Sequence, residues 1–181
     1  MTAAKSVKVG DGLDENTAMG PVVSAAHKER VLGYIEQGIA EGADLILDGR
    51  DCQVEGYPNG FFIGPTIFDN VTMDMKIARE EIFGPVVSIV RCKDLDEVIN
   101  LINTRGFANA ACLYTNSGAA AREFKYRVDP AMVGINIGIA APMSFFPFGG
   151  AGNSMFGDTK AHGQEIFNFF TDTKVVIQRW F

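Results

Sequence analysis

The sequence predicts an α/β fold, and three observations support it. Apolar runs of strand length recur at Val86–Cys92, Ala108–Tyr114 and Met132–Ile137. The two segments between these runs carry apolar residues at the three- and four-residue spacing of amphipathic helices. Each of those segments begins at a residue type that caps helices, Asp94 or Ser117. Alternation of strand and helix in this order is typical of a parallel sheet with right-handed crossovers.

Earlier in the chain the pattern is less regular but still predicts a helix and strands. Ser24 is placed to cap a helix that ends near Gly42, because apolar residues recur at helical spacing between them. A short strand is predicted over Ala43–Leu47. Phe61–Phe68 has the composition of two strands, interrupted at Gly64 by a Gly-Pro pair.

The last part of the chain combines a long glycine-rich segment with an alternating tail. Gly138–Gly163 carries six glycines and two prolines. A structureless segment of that length is usually functional, so we expect a functional loop. Phe169–Trp180 alternates apolar and polar residues and is predicted to form a strand.

The overall composition excludes several classes of protein. Sixteen basic and 22 acidic side chains give a net charge of -6, which argues against nucleic-acid binding. Three cysteines without a C-x-x-C pair indicate neither a disulfide framework nor a zinc site. Met1–Ser6 lacks the apolar region of a secretory signal, and no apolar stretch reaches membrane-spanning length. We expect a cytoplasmic protein, or a mitochondrial matrix protein if the source is eukaryotic.

The segment Arg79–Pro85 is the most informative stretch of the sequence. It places two adjacent carboxylates and an aromatic before a Gly-Pro pair, and the apolar run Val86–Val90 follows directly. A run that apolar is predicted to be a strand buried on both faces. Two neighbouring carboxylates are costly to bury, so we expect either Glu80 or Glu81 to face a polar site and the other to stay in water or pair with Arg79. A solvated turn is the alternative interpretation.

This segment resembles a signature of the aldehyde dehydrogenase superfamily, and other segments match in that superfamily's order and spacing. Within the superfamily, Ala141–Phe148 and Ser154–Asp158 are most similar to CoA-acylating methylmalonate-semialdehyde dehydrogenases. Ala151–Asn153 departs from the bulkier, lysine-containing segment common in relatives. The further matching segments are Lys8–Leu13, Met19–Pro21, Gly60–Ile67, Val133–Asn136 and Pro147–Gly150.

The resemblance implies a domain organisation and a reaction. Residues 1–168 would form the C-terminal part of an aldehyde dehydrogenase catalytic domain, with the nucleotide-binding domain absent. Residues 169–181 would form an oligomerisation strand that joins the sheet of a neighbouring subunit. The family reaction converts malonate or methylmalonate semialdehyde, NAD and CoA into acetyl-CoA or propionyl-CoA, carbon dioxide and NADH.

The resemblance also implies roles for individual residues. Glu81 matches the glutamate that binds the nicotinamide ribose hydroxyls, and Phe83 matches the aromatic beside that ribose. An ionised carboxylate can accept from both hydroxyls, although ligand sites in such sheets usually lie beyond the carboxyl ends of strands and Glu81 precedes its strand. Asn136, Phe146 and Phe148 match residues that line the substrate cavity. In the alternative interpretation, the Asn136 side chain hydrogen-bonds the backbone of a turn and the two aromatic side chains pack in the core.

No residue matches the family's catalytic nucleophile. Cys52 is predicted in a polar loop, and Cys92 and Cys112 are predicted on strands as packing residues, so none has the setting of a reactive thiolate. His27 and His162 are interpreted as surface histidines. Two hypotheses follow: a fragment of the enzyme that is inactive and binds NAD poorly by itself, or a noncatalytic assembly subunit. In either case we expect a homo-oligomer or association with a full-length relative.

Overall fold

The structure is a computed structural model that describes residues 1–157 and 161–181. It divides into two compact units, Met1–Arg91 and Cys92–Phe181. Asp158, the last residue of the motif at Ser154–Asp158, lies outside the described residues. None of the helices in the described part of the chain is long and apolar enough to cross a membrane.

The first unit contains a three-stranded sheet whose strands, in spatial order, are β1 (Asp44–Leu47), β2 (Thr66–Asp69) and β3 (Val86–Ser88). Strands β1 and β2 pair antiparallel, whereas β2 and β3 pair in parallel with Thr66 opposite Val86. Ser24 Oγ accepts from His27 N at 3.2 Å at the start of α2, which confirms the predicted cap. In chain order the elements are α1 (Thr2–Lys5), α2 (Ala25–Ala40), β1 (Asp44–Leu47), β2 (Thr66–Asp69), α3 (Lys76–Arg79) and β3 (Val86–Ser88).

The core of the first unit lies between α2, the sheet and α3. Val31 and Ile35 on α2 are fully buried against it, as is Phe68 on β2, and Ile77 on α3 joins the same cluster. Burying a side chain of this size contributes about 1.5–3 kcal/mol. Ile82 belongs to the cluster too, so the segment between α3 and β3 is anchored to the same core as α2.

Two strand predictions in the first unit are wrong in extent. Of the expected strand pair Phe61–Phe68, only the end lies in a strand, Thr66–Asp69. Gly64 N donates to Gly49 O at 2.8 Å, which is a loop contact. The run after Gly-Pro forms a strand only over Val86–Ser88, and Val87 is more than half exposed. The expectation of burial on both faces is therefore wrong within this chain.

The described part of the second unit contains two small sheets, one formed by β5 (Ala110–Leu113) and β6 (Met132–Ile135) and the other by β4 (Phe107–Ala108) and β7 (Ala151–Gly152). Strands β5 and β6 pair in parallel, with Ala110 opposite Met132, and β4 and β7 pair antiparallel. Asp94 Oδ1 accepts from Glu97 N at 2.9 Å and Ser117 Oγ accepts from Ala120 N at 3.2 Å, which confirms both predicted caps. The elements are α4 (Leu95–Asn103), β4 (Phe107–Ala108), β5 (Ala110–Leu113), α5 (Gly118–Arg127), β6 (Met132–Ile135), β7 (Ala151–Gly152) and α6 (Glu165–Phe170).

The predicted parallel sheet is confirmed for β5 and β6 but not for β3. Strand β3 pairs with β2, in a sheet separate from that of β5 and β6. The connection from β2 to β3 is itself a parallel crossover through α3, and a four-residue helix is too short to leave a periodic pattern. The predicted start of the tail strand at Phe169 is also wrong, because Phe169 and Phe170 are the last two residues of α6. Thr171–Phe181 pairs with no strand among the described residues, and its pairing with another subunit stays a prediction.

Candidate cofactor site

The segment Glu80–Phe83, which we call the strap, runs between α3 and β3 and carries the predicted ribose-binding residues. Ile82 is 7% exposed and packs into the core, whereas Glu81 is exposed and Phe83 is 76% exposed. Phe83 adopts φ = 59°, a left-handed conformation that is rare for a bulky residue. Such conformations persist only where surrounding contacts enforce them, and they cluster at functional sites.

The two glutamates of the strap have different surroundings. Glu80 Oε2 accepts from Tyr34 OH at 2.5 Å and lies 3.9 Å from Lys76 Nζ. The hydrogen bond to Glu80 raises the pKa of Tyr34, because the phenol donates to a carboxylate. Within residues 1–157 and 161–181, the Glu81 carboxylate has neither a hydrogen bond nor an ion pair, including with Arg79. Of the two carboxylates, that of Glu81 is free to accept from a ligand.

Helix α2 holds the backbone of the strap. Arg30 Nη1 donates to Ile82 O at 2.8 Å, and Arg30 Nη2 donates to Glu81 O at 3.0 Å. His27 Nε2 lies 2.7 Å from Phe83 O. His27 was expected to be a surface histidine; the residue is half-buried, and its ring contacts the backbone of the strap.

Sequence reasoning missed His27, Arg30 and Tyr34 as residues that support the site. Their spacing of three and four residues places them on one face of α2. Polar groups on a face next to buried Val31 are the signal that could have identified them. The strap also needs a glycine at Gly84, because a Cβ there would lie 2.7 Å from Val31 Cγ2.

The predicted substrate-lining residues lie in the second unit. Asn136 follows the last residue of β6 with φ = 55°. Its Oδ1 accepts from Thr115 N at 2.8 Å and its Nδ2 donates to Thr115 O at 3.0 Å. The side-chain amide of Asn136 therefore bonds the backbone of a loop, which agrees with the alternative interpretation. A role in lining the substrate cavity stays a prediction.

The aromatic residues of the glycine-rich segment are exposed. Phe146 is about half exposed and its ring lies 4.7 Å from that of Phe145, centroid to centroid. Phe148 is more than a third exposed and its ring lies 5.3 Å from that of His162. Neither packs in the core, so the core-packing alternative is wrong for both.

The cysteines have settings that do not favour a thiolate. Cys52 lies in the wall of an open cleft of about 760 Å³ with Lys28 and Tyr57, and burial raises the pKa of its thiol. Burial also raises the pKa of Cys92. Cys92 was expected on a strand, but it lies after the end of β3 and outside any strand. Cys112 lies on β5, as predicted. Thiols with raised pKa values are poor nucleophiles at neutral pH.

The chain belongs to the aldehyde dehydrogenase family, whose model matches residues 1–176. Among its relatives it is 50% identical over 177 residues to malonate-semialdehyde dehydrogenase 2 of Bacillus mycoides, a match that covers 98% of this chain and 36% of that protein. It is 49% identical to malonate-semialdehyde dehydrogenase 1 of Oceanobacillus iheyensis, with the same coverage of each chain. The chain thus spans just over a third of the length of these relatives.

Solved structures of the family confirm the fold. A methylmalonate-semialdehyde dehydrogenase candidate from Sinorhizobium meliloti 1021, crystallised with NAD, superposes with a TM-score of 0.96 at 42% identity, covering 99% of this chain and 36% of the other. Methylmalonate-semialdehyde dehydrogenase from Oceanimonas doudoroffii gives a TM-score of 0.95 at 40% identity, covering 99% of this chain and 37% of the other. The expected family and α/β fold class are both confirmed.

Proposed function

We propose that the chain is part of an NAD-dependent, CoA-acylating malonate- or methylmalonate-semialdehyde dehydrogenase, to which it contributes one wall of the cofactor site. The observation that carries the proposal is the carboxylate of Glu81, which has no partner among the described residues and lies two residues from the exposed Phe83, on a strap fixed to the core by Ile82. The semialdehyde dehydrogenases among the relatives support the substrate class.

The residues of the strap fit the nicotinamide ribose of NAD. An ionised carboxylate accepts hydrogen bonds from two neighbouring hydroxyls, and charge-assisted bonds of this kind are short and directional. The Phe83 ring would cover an apolar face of the sugar and exclude water from it. NAD, when bound, supplies the acceptor for the hydride that leaves the substrate.

Within this proposal the other predicted residues have secondary roles. Asn136, Phe146 and Phe148 would line the path of the aldehyde, and CoA would take the acyl group. We assign no catalytic residue to the chain, because none of Cys52, Cys92 and Cys112 lies in a segment that matches the family's catalytic nucleophile. The chain by itself would therefore form no NADH from methylmalonate semialdehyde and CoA, and appearance of NADH would contradict this assignment.

A second candidate function is a noncatalytic assembly subunit that docks on a longer relative or on another copy of the chain. It is favoured by the exposed apolar residues of the tail, among them Val175, Ile177 and Trp180. Apolar side chains in an unpaired extended segment favour pairing with a sheet edge of another chain. Deletion of Thr171–Phe181 should lower the sedimentation coefficient if the tail mediates this association.

Binding of NAD to the purified chain tests the cofactor role. We expect a dissociation constant weaker than about 1 mM, which corresponds to about 4.1 kcal/mol, because one carboxylate on a ribose cannot replace a phosphate-binding site. Saturation-transfer NMR on the ribose protons should detect this binding in the wild type and lose it in Glu81→Gln. Glu29→Gln, an exposed carboxylate on α2, is the control for loss of one charge. Equal signals from the two variants would contradict the proposal. Micromolar binding by the wild type would contradict the expected weak affinity.

A further inference from the structure

Three side chains on one face of α2 hold every residue of the strap. His27, Arg30 and Tyr34 together form what we call the clamp. Tyr34 holds the side chain of Glu80, Arg30 holds the carbonyls of Glu81 and Ile82, and His27 contacts the carbonyl of Phe83. The strap is thus fixed on the side that faces α2, while the side chains of Glu81 and Phe83 stay exposed.

Arg30 makes the contact that a regular strand could not accept. Successive carbonyls of an extended strand point to opposite sides, and one donor group cannot reach both. The guanidinium of Arg30 bonds two successive carbonyls, and Phe83 takes its left-handed conformation directly after them. The planar, forked donor geometry of arginine suits this task, and the single ammonium of lysine does not.

Arg30 is itself oriented by Tyr34, the third member of the clamp. Its guanidinium carbon lies 5.0 Å from the ring centroid of Tyr34, and Lys76 Nζ lies 5.2 Å from the same centroid. The hydroxyl of Tyr34 is fixed by Glu80. Glu80 therefore contacts the clamp from the strap side, whereas the Glu81 carboxylate has no partner among the described residues.

We propose that Arg30 and His27 are positioning residues for the cofactor site, acting on the nicotinamide ribose through the placement of Glu81 and Phe83. This inference rests on the proposed function. The fold itself is held by the core around Val31 and Ile35, whereas Arg30 is exposed on the helix. Loss of Arg30 should consequently change the strap and ligand binding far more than the core.

Solution NMR on the isotope-labelled chain tests the clamp with two independent readouts. The first, without ligand, is the set of carbonyl ¹³C shifts of Glu81, Ile82 and Phe83 and the amide-to-α coupling of Phe83, which reports φ. We expect both to change in Arg30→Ala and in Arg30→Lys. The resonances of core residue Phe68 should stay unchanged. Lys28→Ala removes a neighbouring cation of α2 and is the charge-matched control.

The second readout is the saturation-transfer signal of NAD. We expect it to fall roughly fivefold or more in Arg30→Ala and Arg30→Lys, since misplacing a recognition group by about 1 Å is costly. His27→Gln, which can still offer a donor to Phe83 O, should retain more signal than His27→Ala. This rescue separates positioning from a general loss of packing.

The outcomes separate the clamp from the proposed function. Unchanged strap resonances in Arg30→Ala would overturn the clamp. If Arg30→Ala altered the strap resonances but gave the same NAD signal as Lys28→Ala, the effect of the clamp on the cofactor would be overturned. A loss of signal in Glu81→Gln would still support the proposed function in that case. If the wild type gave no NAD signal, the proposed function and the cofactor role of the clamp would both be overturned, although the strap resonances would still respond to Arg30→Ala.

Discussion

The two units of the chain differ in how completely they bury their own apolar residues. In the first unit, eleven buried residues form one contiguous cluster. In the described part of the second unit, the buried apolar residues other than glycine are Ile99, Ala108, Phe124 and Pro130. Much of its aromatic content is instead exposed, including Phe145, Phe146, Phe156, Phe167, Phe169 and Phe170. Large exposed apolar surface usually marks an interface. The first unit therefore supports the strap with a core of its own, whereas we propose that the exposed aromatic residues of the second unit form a contact surface.

The largest expected effect comes from truncating a phenylalanine in each setting. Phe68→Ala removes a ring that is 0% exposed and should lower the free energy of unfolding by about 3–5 kcal/mol. Phe156→Ala removes a ring that is 95% exposed in the second unit and should change it by less than about 0.5 kcal/mol. Urea denaturation followed by circular dichroism measures both. Similar losses of unfolding free energy in the two variants would mean that the Phe156 ring is packed against other residues in solution.

A smaller effect is expected from adding one methyl group at two glycines of the first unit. At Gly49 a Cβ would lie 2.0 Å from Gly64 O, so the backbone must move, and Gly49→Ala should cost about 1–3 kcal/mol. At Gly33, inside α2, no atom lies within 4 Å of the added Cβ, so Gly33→Ala should stabilise the helix by about 0.5–1 kcal/mol. Midpoints of thermal unfolding should shift in opposite directions. A rise of both midpoints would show that the packing around Gly49 is looser than described, and a fall of both would show that the added methyl group at Gly33 is not accommodated.

The smallest effect tests whether each unit depends on its own helix cap. Ser24→Ala and Ser117→Ala each remove a side-chain acceptor at a helix start and should each cost about 1 kcal/mol. Hydrogen exchange followed by mass spectrometry should locate the loss of protection in Ala25–Ala40 for the first variant and in Gly118–Arg127 for the second. Loss of protection in both helices from a single substitution would show that the units unfold as one.

The parts of the fold that depend on residues close together in the sequence could be predicted. The three helix caps at Ser24, Asp94 and Ser117 are local hydrogen bonds that span three residues, and the sequence pattern locates them. The partner of β3 could not be predicted, because a sheet is chosen by packing between distant segments and α3 is only four residues long. The length of β3 was overestimated for the same reason, since an apolar run does not show where its ladder ends.

The candidate site was predictable in its residues but not in its support. Glu81 and Phe83 were identified by resemblance of the segment around them, and their cofactor role stays a proposal. The contacts of Arg30 with Ile82 and of His27 with Phe83 join residues 52 and 56 positions apart, and no local pattern encodes such pairs. The sequence signal for these contacts was limited to polar side chains on the face of α2 next to its buried residues.

The position of the single tryptophan decides what its fluorescence can report. Trp180 is the only tryptophan of the chain and is 85% exposed, next to the terminal residue. Its indole is in water in the folded chain and would be in water in the unfolded chain, so its emission should hardly respond to unfolding of either unit. A blue shift of that emission with rising protein concentration would instead indicate that the tail had entered an apolar interface, which makes this residue a natural probe of assembly and a poor probe of folding.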